Sequence, residues 1–368
     1  MMKINNTQPK LCYVLPKYRP DDASHFSHIH DFLKEISKSF DIFLIIEKGS
    51  IPSRELGYQD VYLLRFSFLP LRIIETFFVL LWARFKGYHN FYVHYSFISA
   101  FLASFFGKTF YWNCGEPWKY KRSFLREIFE QLVYKMVTHL VTGAPSLADE
   151  YARYYGIKRT SVLVMPNWID LKRFASALSR DEARKKLNLP HDAKIVLFVH
   201  HLSPRKGSRM IIPVAQFVTA THPNILFLVV GAGPDDKFLG DEIIHVGLSK
   251  NIHLVGAIPN RELPDYFVAS DVFFMPSEEE GFPRVLLESM ALGVPFVASD
   301  VGAVGDIVPP SMKPYIVHAG DKGAFVKRLS ELSEKNQKER NIISAELVES
   351  AKKYNVSAVA DRFREFFF

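Results

Sequence analysis

Apolar residues along this chain gather in short continuous runs. LCYVLP (11–16), FDIFLII (40–46), VYLLRFS (61–67), FYVHYS (91–96), TFYWNC (109–114) and HLVTGA (139–144) form one series. KIVLFVH (194–200), ILFLVVG (225–231), IHLVGA (252–257), VFFMPS (272–277), PFVASD (295–300) and PYIVHA (314–319) form a second. Helix-like stretches separate them. Strands apolar on successive positions are those covered on both faces, as in parallel sheets flanked by helices. The two series therefore predict an α/β chain of two doubly wound domains. The boundary falls near PNWIDLKRF (166–174), after the strand SVLVM, which gives domains 1–168 and 169–345. Residues 346–368 close a segment that is helical by period and apolar on one face. That C-terminal helix either caps its own domain or returns to the first.

A length of 368 residues agrees with two domains. With 48% hydrophobic and 23% charged residues, the chain is globular and neither disordered nor collagen-like. The only two cysteines, Cys12 and Cys114, imply no disulfide framework and fit a reducing compartment. MMKINNTQP at the start lacks the apolar core of a secretory signal. The greasiest stretch, 68–85, is interrupted by Arg72 and Glu75 and predicts no spanning helix. The expected location is cytoplasmic, with the inner membrane face as a docking place.

Charge changes the picture of the first half. Residues 1–160 hold 21 Lys/Arg and 14 Asp/Glu, a net +7, whereas 161–368 hold 25 of each. Such asymmetry points the first half at something anionic, or else is ordinary solubility charge.

In open α/β sheets, ligands bind at the carboxyl ends of the strands, so the residues closing each strand matter most. In VHHLSPRKGSRM (199–210), Lys206 and Gly207 precede a helical stretch, placing a cation and backbone N–H groups where a phosphate would sit. A solvated surface lysine is the alternative. LVVGAGP (228–234) carries a Gly-x-Gly that is either a tight turn or a ligand approach. In SEEEGFPRVLLESMAL (277–292), Pro283 opens a helix and Arg284 adds a cation to its anion-attracting start. Glu280 precedes that start and Glu288 lies inside the helix. Eight helical residues would span roughly 12 Å, too far for an acid/base pair on one bond. Carboxylates repel phosphate but accept hydrogen bonds from hydroxyls. A diphosphate at the helix start, with a hydroxyl-rich ring on either side, satisfies both carboxylates; this is a nucleotide sugar. Glu278 and Glu279 fit an acidic loop.

The stretch PSEEEGFPRVLLESMALGVPFVASDVGAVGDIV (276–308), together with LVVGAGP, HLSPRKG and PNWID, resembles the retaining family 4 glycosyltransferases, over most of residues 140–310. That resemblance implies the GT-B fold, in which two Rossmann-like domains face each other across a cleft. It implies that Lys206 binds the donor phosphates, that Glu288 holds the ribose and that Glu280 positions the donor sugar. Gly281, Phe282 and Pro283 would assist through their backbone, and Ala257 and Ile258 would contact the base. Arg205 and Arg284 would add charge at the diphosphate. His201 stands where the family often has arginine, Trp168 where PNGID has glycine, Pro283 where a glycine is usual, and Asp306 where a glutamate is usual. The reaction implied is retaining transfer to a glycan or lipid-linked acceptor, in polysaccharide, glycolipid or lipopolysaccharide synthesis. No D-x-D closes a strand, so neither metal nor cofactor is expected.

The first half is less legible. His25, His28 and His30 follow the first strand with spacings that do not share one helical face, so no metal site is expected there. His25 or His28 contacts ligand or is a surface histidine. His94 closes FYVHYS, resembles the family's V-H-x-H region, and is expected to touch acceptor or donor sugar. Asn113 or Glu116 stands near the position of a family histidine. WKYKRSFLREIF (118–129) interleaves aromatic and basic residues, as in helices that lie in anionic headgroups, or else buries its aromatics. Two other readings are a GT-B sugar-nucleotide 2-epimerase and a non-catalytic partner subunit. The basic balance alone, with no nucleic-acid module, does not indicate a nucleic-acid partner.

Overall fold

Each of the twelve apolar runs becomes a strand, because consecutive buried positions suit a sheet sandwiched between helices. The computed structural model describes residues 8–18, 27–52 and 60–367. The chain divides into two compact units, 1–166 with 359–368, and 167–358.

The first unit holds β1 (Lys10–Leu15), β2 (Asp41–Ile46), β3 (Asp60–Leu63), β4 (Asn90–His94), β5 (Lys108–Trp112), β6 (His139–Thr142) and β7 (Val162–Val164). Their order is β3-β2-β1-β4-β5-β6-β7, and every pairing is parallel. Helices α1 (Ser27–Ile36), α2 (Leu69–Phe85), α3 (Phe97–Ala103), α4 (Phe124–Met136) and α5 (Pro145–Tyr155) connect them. The core is aromatic: Tyr111, Tyr134, Tyr151 and Tyr155 are buried together.

The second unit holds β8 (Lys194–Val199), β9 (Ile225–Val230), β10 (Ile252–Gly256), β11 (Val272–Met275), β12 (Phe296–Ser299) and β13 (Ile316–Val317), in the order β10-β9-β8-β11-β12-β13, again parallel. Its helices are α6 (Arg180–Lys186), α7 (Ile211–Thr221), α8 (Asp236–His245), α9 (Leu263–Ala269), α10 (Arg284–Ala291), α11 (Val304–Ile307), α12 (Lys322–Glu334) and α13 (Gln337–Ala351). A buried cluster pins β8 to β11 at their amino ends. Asp271 accepts from the Ile195 amide and the Arg184 guanidinium, both at 2.8 Å, and from Arg340 at 3.0 Å. Arg184 is fully buried, and its remaining donors reach the carbonyls of Ala269 and Ala193 at 2.9 Å. A buried charge set is tolerable only when paired and hydrogen-bonded in this way.

Three helical expectations are corrected. The C-terminal segment is not one helix. Residues 354–356 bridge to the PNWID stretch, with the Ile169 amide donating to the Tyr354 carbonyl at 3.0 Å and the Val356 amide to the Ile169 carbonyl at 2.9 Å. The helix is interrupted there, and α14 (Val356–Arg364) begins at the bridge itself. Phe363, in the part assigned to the first unit, is buried against Phe32, Phe40 and Tyr92.

Residues 118–129 are likewise not one aromatic-basic helix. A 3₁₀ turn at Pro117–Lys119 ends at Tyr120, and α4 starts only after Ser123, which caps it. Trp118 and Phe129 pack against the core, and Arg122 turns inward to Glu130 and the Tyr155 hydroxyl. Finally, the helix after Gly207 starts late: a 3₁₀ turn at Ser208–Met210 intervenes before α7. Lys206 therefore sits on a turn and not at an α-helix start.

Candidate functional site

The order of the second sheet reverses between β8 and β11, so the loops after these neighbouring strands diverge and leave a crevice at their carboxyl ends. Both loops carry residues singled out from the sequence. After β8 come His200 and His201, then a 3₁₀ turn at Pro204–Lys206 and Gly207 at φ +70. After β11 comes the Glu280 loop, followed by α10 with Pro283 as its N-cap. Only residues from 284 on are helical, so the span from Glu280 to Glu288 is not the uniform helix assumed for the 12 Å figure.

The two loops meet at one carboxylate. Lys206 Nζ lies 2.7 Å from Glu280 Oε1, and His200 Nε2 lies 2.9 Å from the same oxygen. The Ser277 hydroxyl donates to it at 2.9 Å. Lys206 and Glu280 are both buried. Burial by itself pushes the Glu280 carboxyl up, but the His200 hydrogen bond and the Lys206 ammonium outweigh it and hold the carboxyl down at about 2. The His201 amide donates to His200 Nδ1 at 2.9 Å, so the ring proton belongs on Nε2, facing Glu280. Burial lowers the His200 pKa, which keeps that ring neutral.

Backbone contacts lock the loops together. The Glu278 amide donates to the Arg205 carbonyl at 3.0 Å, and the Ala303 amide to the Gly281 carbonyl at 2.9 Å. Two glycines make the close packing possible. A Cβ on Gly207 would lie 1.9 Å from the Pro276 carbonyl oxygen, and one on Gly302, at φ +55, would lie 1.9 Å from that of Glu280. The Glu280 loop is wedged between these two positions. PNWID supports it from another side: Asn167 donates to the Phe282 carbonyl at 3.0 Å, while Arg284, the first residue of α10, reaches the Trp168 carbonyl at 3.4 Å. Trp168 is a core residue, filling volume that a glycine would leave open.

Glu288 lies half-buried on α10, and burial raises its pKa, partly offset by Arg284. Arg205 and His201 are exposed beside the crevice, with Arg205 3.9 Å from Glu279. Ala257 is exposed and Ile258 half-buried, directly after β10 on the same sheet edge. The Gly-x-Gly turn approaches the protein's own backbone: a Cβ on Gly231 would lie 1.8 Å from the His200 carbonyl oxygen. Its glycines position the His200 loop.

Sequence reading missed His200, Ser277 and Gly302. His200 directly follows β8 and its place at the strand end is the available signal, whereas His201 is exposed to solvent.

In the first unit the order reverses between β1 and β4, and His94 closes β4 there. It is buried, 3.2 Å from the Tyr13 hydroxyl and beside the ring of Trp112. Asn113 is engaged at both ends, donating to the Tyr134 hydroxyl at 3.0 Å and accepting from the Gly115 amide at 2.9 Å. Glu116 is buried and paired with Lys119 at 2.8 Å. His28 is buried on α1, and His25 lies outside the described residues. Among the described residues, no group of three or more His, Cys, Asp or Glu side chains is placed to share a metal ion.

Residues 179–347 match the family described as Glycosyl transferases group 1. Over 249 residues the chain is 29% identical to a D-inositol 3-phosphate glycosyltransferase of Streptosporangium roseum, covering 65% of this chain and 57% of that protein. The match thus spans little more than half of the relative's length. Among solved structures, HepE of Anabaena in complex with UDP superposes with a TM-score of 0.80 at 16% identity, covering 98% of this chain and 99% of that one. Sucrose-phosphate synthase from Thermosynechococcus elongatus gives a TM-score of 0.77 at 19% identity, covering 98% of each. At such identities the likeness concerns the fold, which is GT-B.

Proposed function

We propose that the chain, whose residues 179–347 match the glycosyl transferases group 1 family, transfers a sugar, with retention, from a nucleotide diphosphate donor to a glycan or lipid-linked acceptor. One observation carries this reading. Glu280 is held ionised between Lys206 and His200, at the switch point of the sheet and beside the start of α10. A carboxylate near 2 remains an acceptor at every physiological pH, which suits sugar hydroxyls. Lys206, Arg205, Arg284 and the α10 start supply the positive field for the leaving diphosphate. In this structure Lys206 is neutralised by Glu280; a bound diphosphate would share that ammonium.

Glu288 is the proposed ribose partner, and Ala257 and Ile258 the proposed base contacts. In the first unit, His94 is the proposed partner of acceptor or donor sugar. The sugar C1–O bond to the diphosphate breaks as the acceptor oxygen bonds to C1 on the same face. The acceptor proton passes to the departing phosphate, so neither a protein nucleophile nor a metal is invoked. The UDP bound to the structurally similar Anabaena protein supports a uridine diphosphate donor. The proposed location is cytoplasmic.

Thermal unfolding with a panel of nucleoside diphosphates and their sugars tests the reading. At a hundredfold excess over Kd, the right ligand adds about 2.7 kcal/mol, and Lys206→Ala abolishes the shift. A panel without any response would sink it. Interconversion of sugar nucleotides without acceptor would favour the epimerase instead.

A further inference from the structure

A surface helix normally turns polar residues outward, but α2 does not. Its inner face is Glu75, Thr76, Val79, Leu80 and Ala83, all buried. Its outer face is also apolar: Leu71, Ile74, Phe78, Trp82 and Phe85 recur every three or four residues and are exposed, Phe78 by 61% and Phe85 by 80%. No helix among the described residues is long and apolar enough to cross a membrane. The outer face of α4 repeats the pattern with Phe124 at 76% and Leu125 at 78%, followed by exposed Ile128 and Leu132. Helix α3 packs against both helices, and Arg72, Ile73 and Thr76 of α2, Phe97 and Ile98 of α3, and Arg126 and Phe129 of α4 line one pocket of about 290 Å³. Together the outer faces of α2 and α4 form an apolar surface far beyond the scattered exposed residues of an ordinary fold.

Charge selects what covers it. Glu75 is the only carboxylate between residues 65 and 86, and it is turned inward, accepting from the Arg65 and Phe66 amides and the Tyr62 hydroxyl. Both carboxylates of α4 are engaged as well. Glu127 accepts from the Tyr154 hydroxyl at 2.9 Å, and buried Glu130 pairs with Arg122 and Arg126. Arg65, Arg84, Lys121 and Arg126 stay exposed around the apolar residues. Large apolar groups ringed by cations, with the acids withdrawn, are what an anionic lipid surface recognises.

We infer that the outer faces of α2 and α4 form one interfacial surface that docks the first unit on an anionic phospholipid bilayer. The apolar side chains enter the acyl boundary while the flanking cations meet lipid phosphates. The inference does not depend on glycosyl transfer, but it gives the proposed acceptor a lipid setting.

Co-sedimentation of the full chain, without nucleotide, tests it. Vesicles of equal parts phosphatidylcholine and phosphatidylglycerol are compared with pure phosphatidylcholine. Binding to the anionic vesicles is expected, weakening with salt. It should fall by roughly tenfold or more in Phe78→Ser/Phe85→Ser and, separately, in Phe124→Ser/Leu125→Ser. These positions are exposed, so the melting temperature should hold, and any nucleotide response should persist. Absence of binding at low salt, or binding indifferent to both variants, overturns the inference. So does a stable dimer in sedimentation that both variants dissociate without any vesicle binding, which would assign the surface to a second copy.

Discussion

Lys206 and Glu280 form a buried ion pair, Nζ to Oε1 2.7 Å, that joins the loop after β8 to the loop after β11. Breaking one side leaves a charge in the interior with fewer partners. Lys206→Ala should therefore cost about 3 kcal/mol, measured by urea unfolding at neutral pH. The double variant Lys206→Ala/Glu280→Ala should cost less than the sum of the singles, by about 1–3 kcal/mol. Strict additivity would mean that the pair is not coupled.

Acid should expose the same pair. The Glu280 pKa falls from 4.5 toward about 2 on folding, so the stability it contributes is present above 4.5 and is lost as pH drops from there toward 2. Such a shift is worth roughly 3 kcal/mol. Glu280→Gln should flatten the decline in urea midpoint below pH 4.5 relative to the parent. Parallel declines would contradict the assignment.

Glu288 has the opposite sign. Its folded pKa lies above 4.5 because burial disfavours the charge, so the ionised group destabilises the fold at neutral pH and stops doing so in acid. Glu288→Gln should raise the melting temperature at pH 7 while weakening nucleotide binding. A lower melting temperature would indicate a structural role instead.

His200 should resist protonation. Nitrogen-detected NMR should show the Nε2–H tautomer, with a titration midpoint below the ordinary 6.5. Replacing Glu280 by Gln removes the charge that favours the imidazolium and should lower the His200 pKa further. An imidazolium at pH 7 would refute this arrangement.

Gly302→Ala combines a left-handed backbone with a clash against the Glu280 carbonyl, which cannot swing aside as a side-chain end could. Gly320 has φ +84 but nothing within 4 Å of an added Cβ, so Gly320→Ala isolates the backbone cost of about 1–2 kcal/mol. Gly302→Ala should lose clearly more, and should lose nucleotide response as well. Equal losses would show that the loop yields freely.

Much of the fold was legible from the chain alone. The strands of both sheets were readable because complete burial leaves continuous apolar runs, a local signature. Helix continuity was not, since the break at 352–355 answers to Ile169 and the break at 120–123 to Tyr155, partners distant in sequence.

The amino-acid sequence by itself determined the two parallel sheets, the loops at their strand ends and the carboxylates and lysine those loops carry, since pattern and spacing are properties of neighbouring residues. Only the tertiary structure decided that His200 and Lys206 converge on Glu280, that Gly207 and Gly302 clamp its loop, and that the apolar outer face of α2 is left exposed. A side chain's charge state and burial depend on what the rest of the chain brings beside it, and those neighbours lie many residues away.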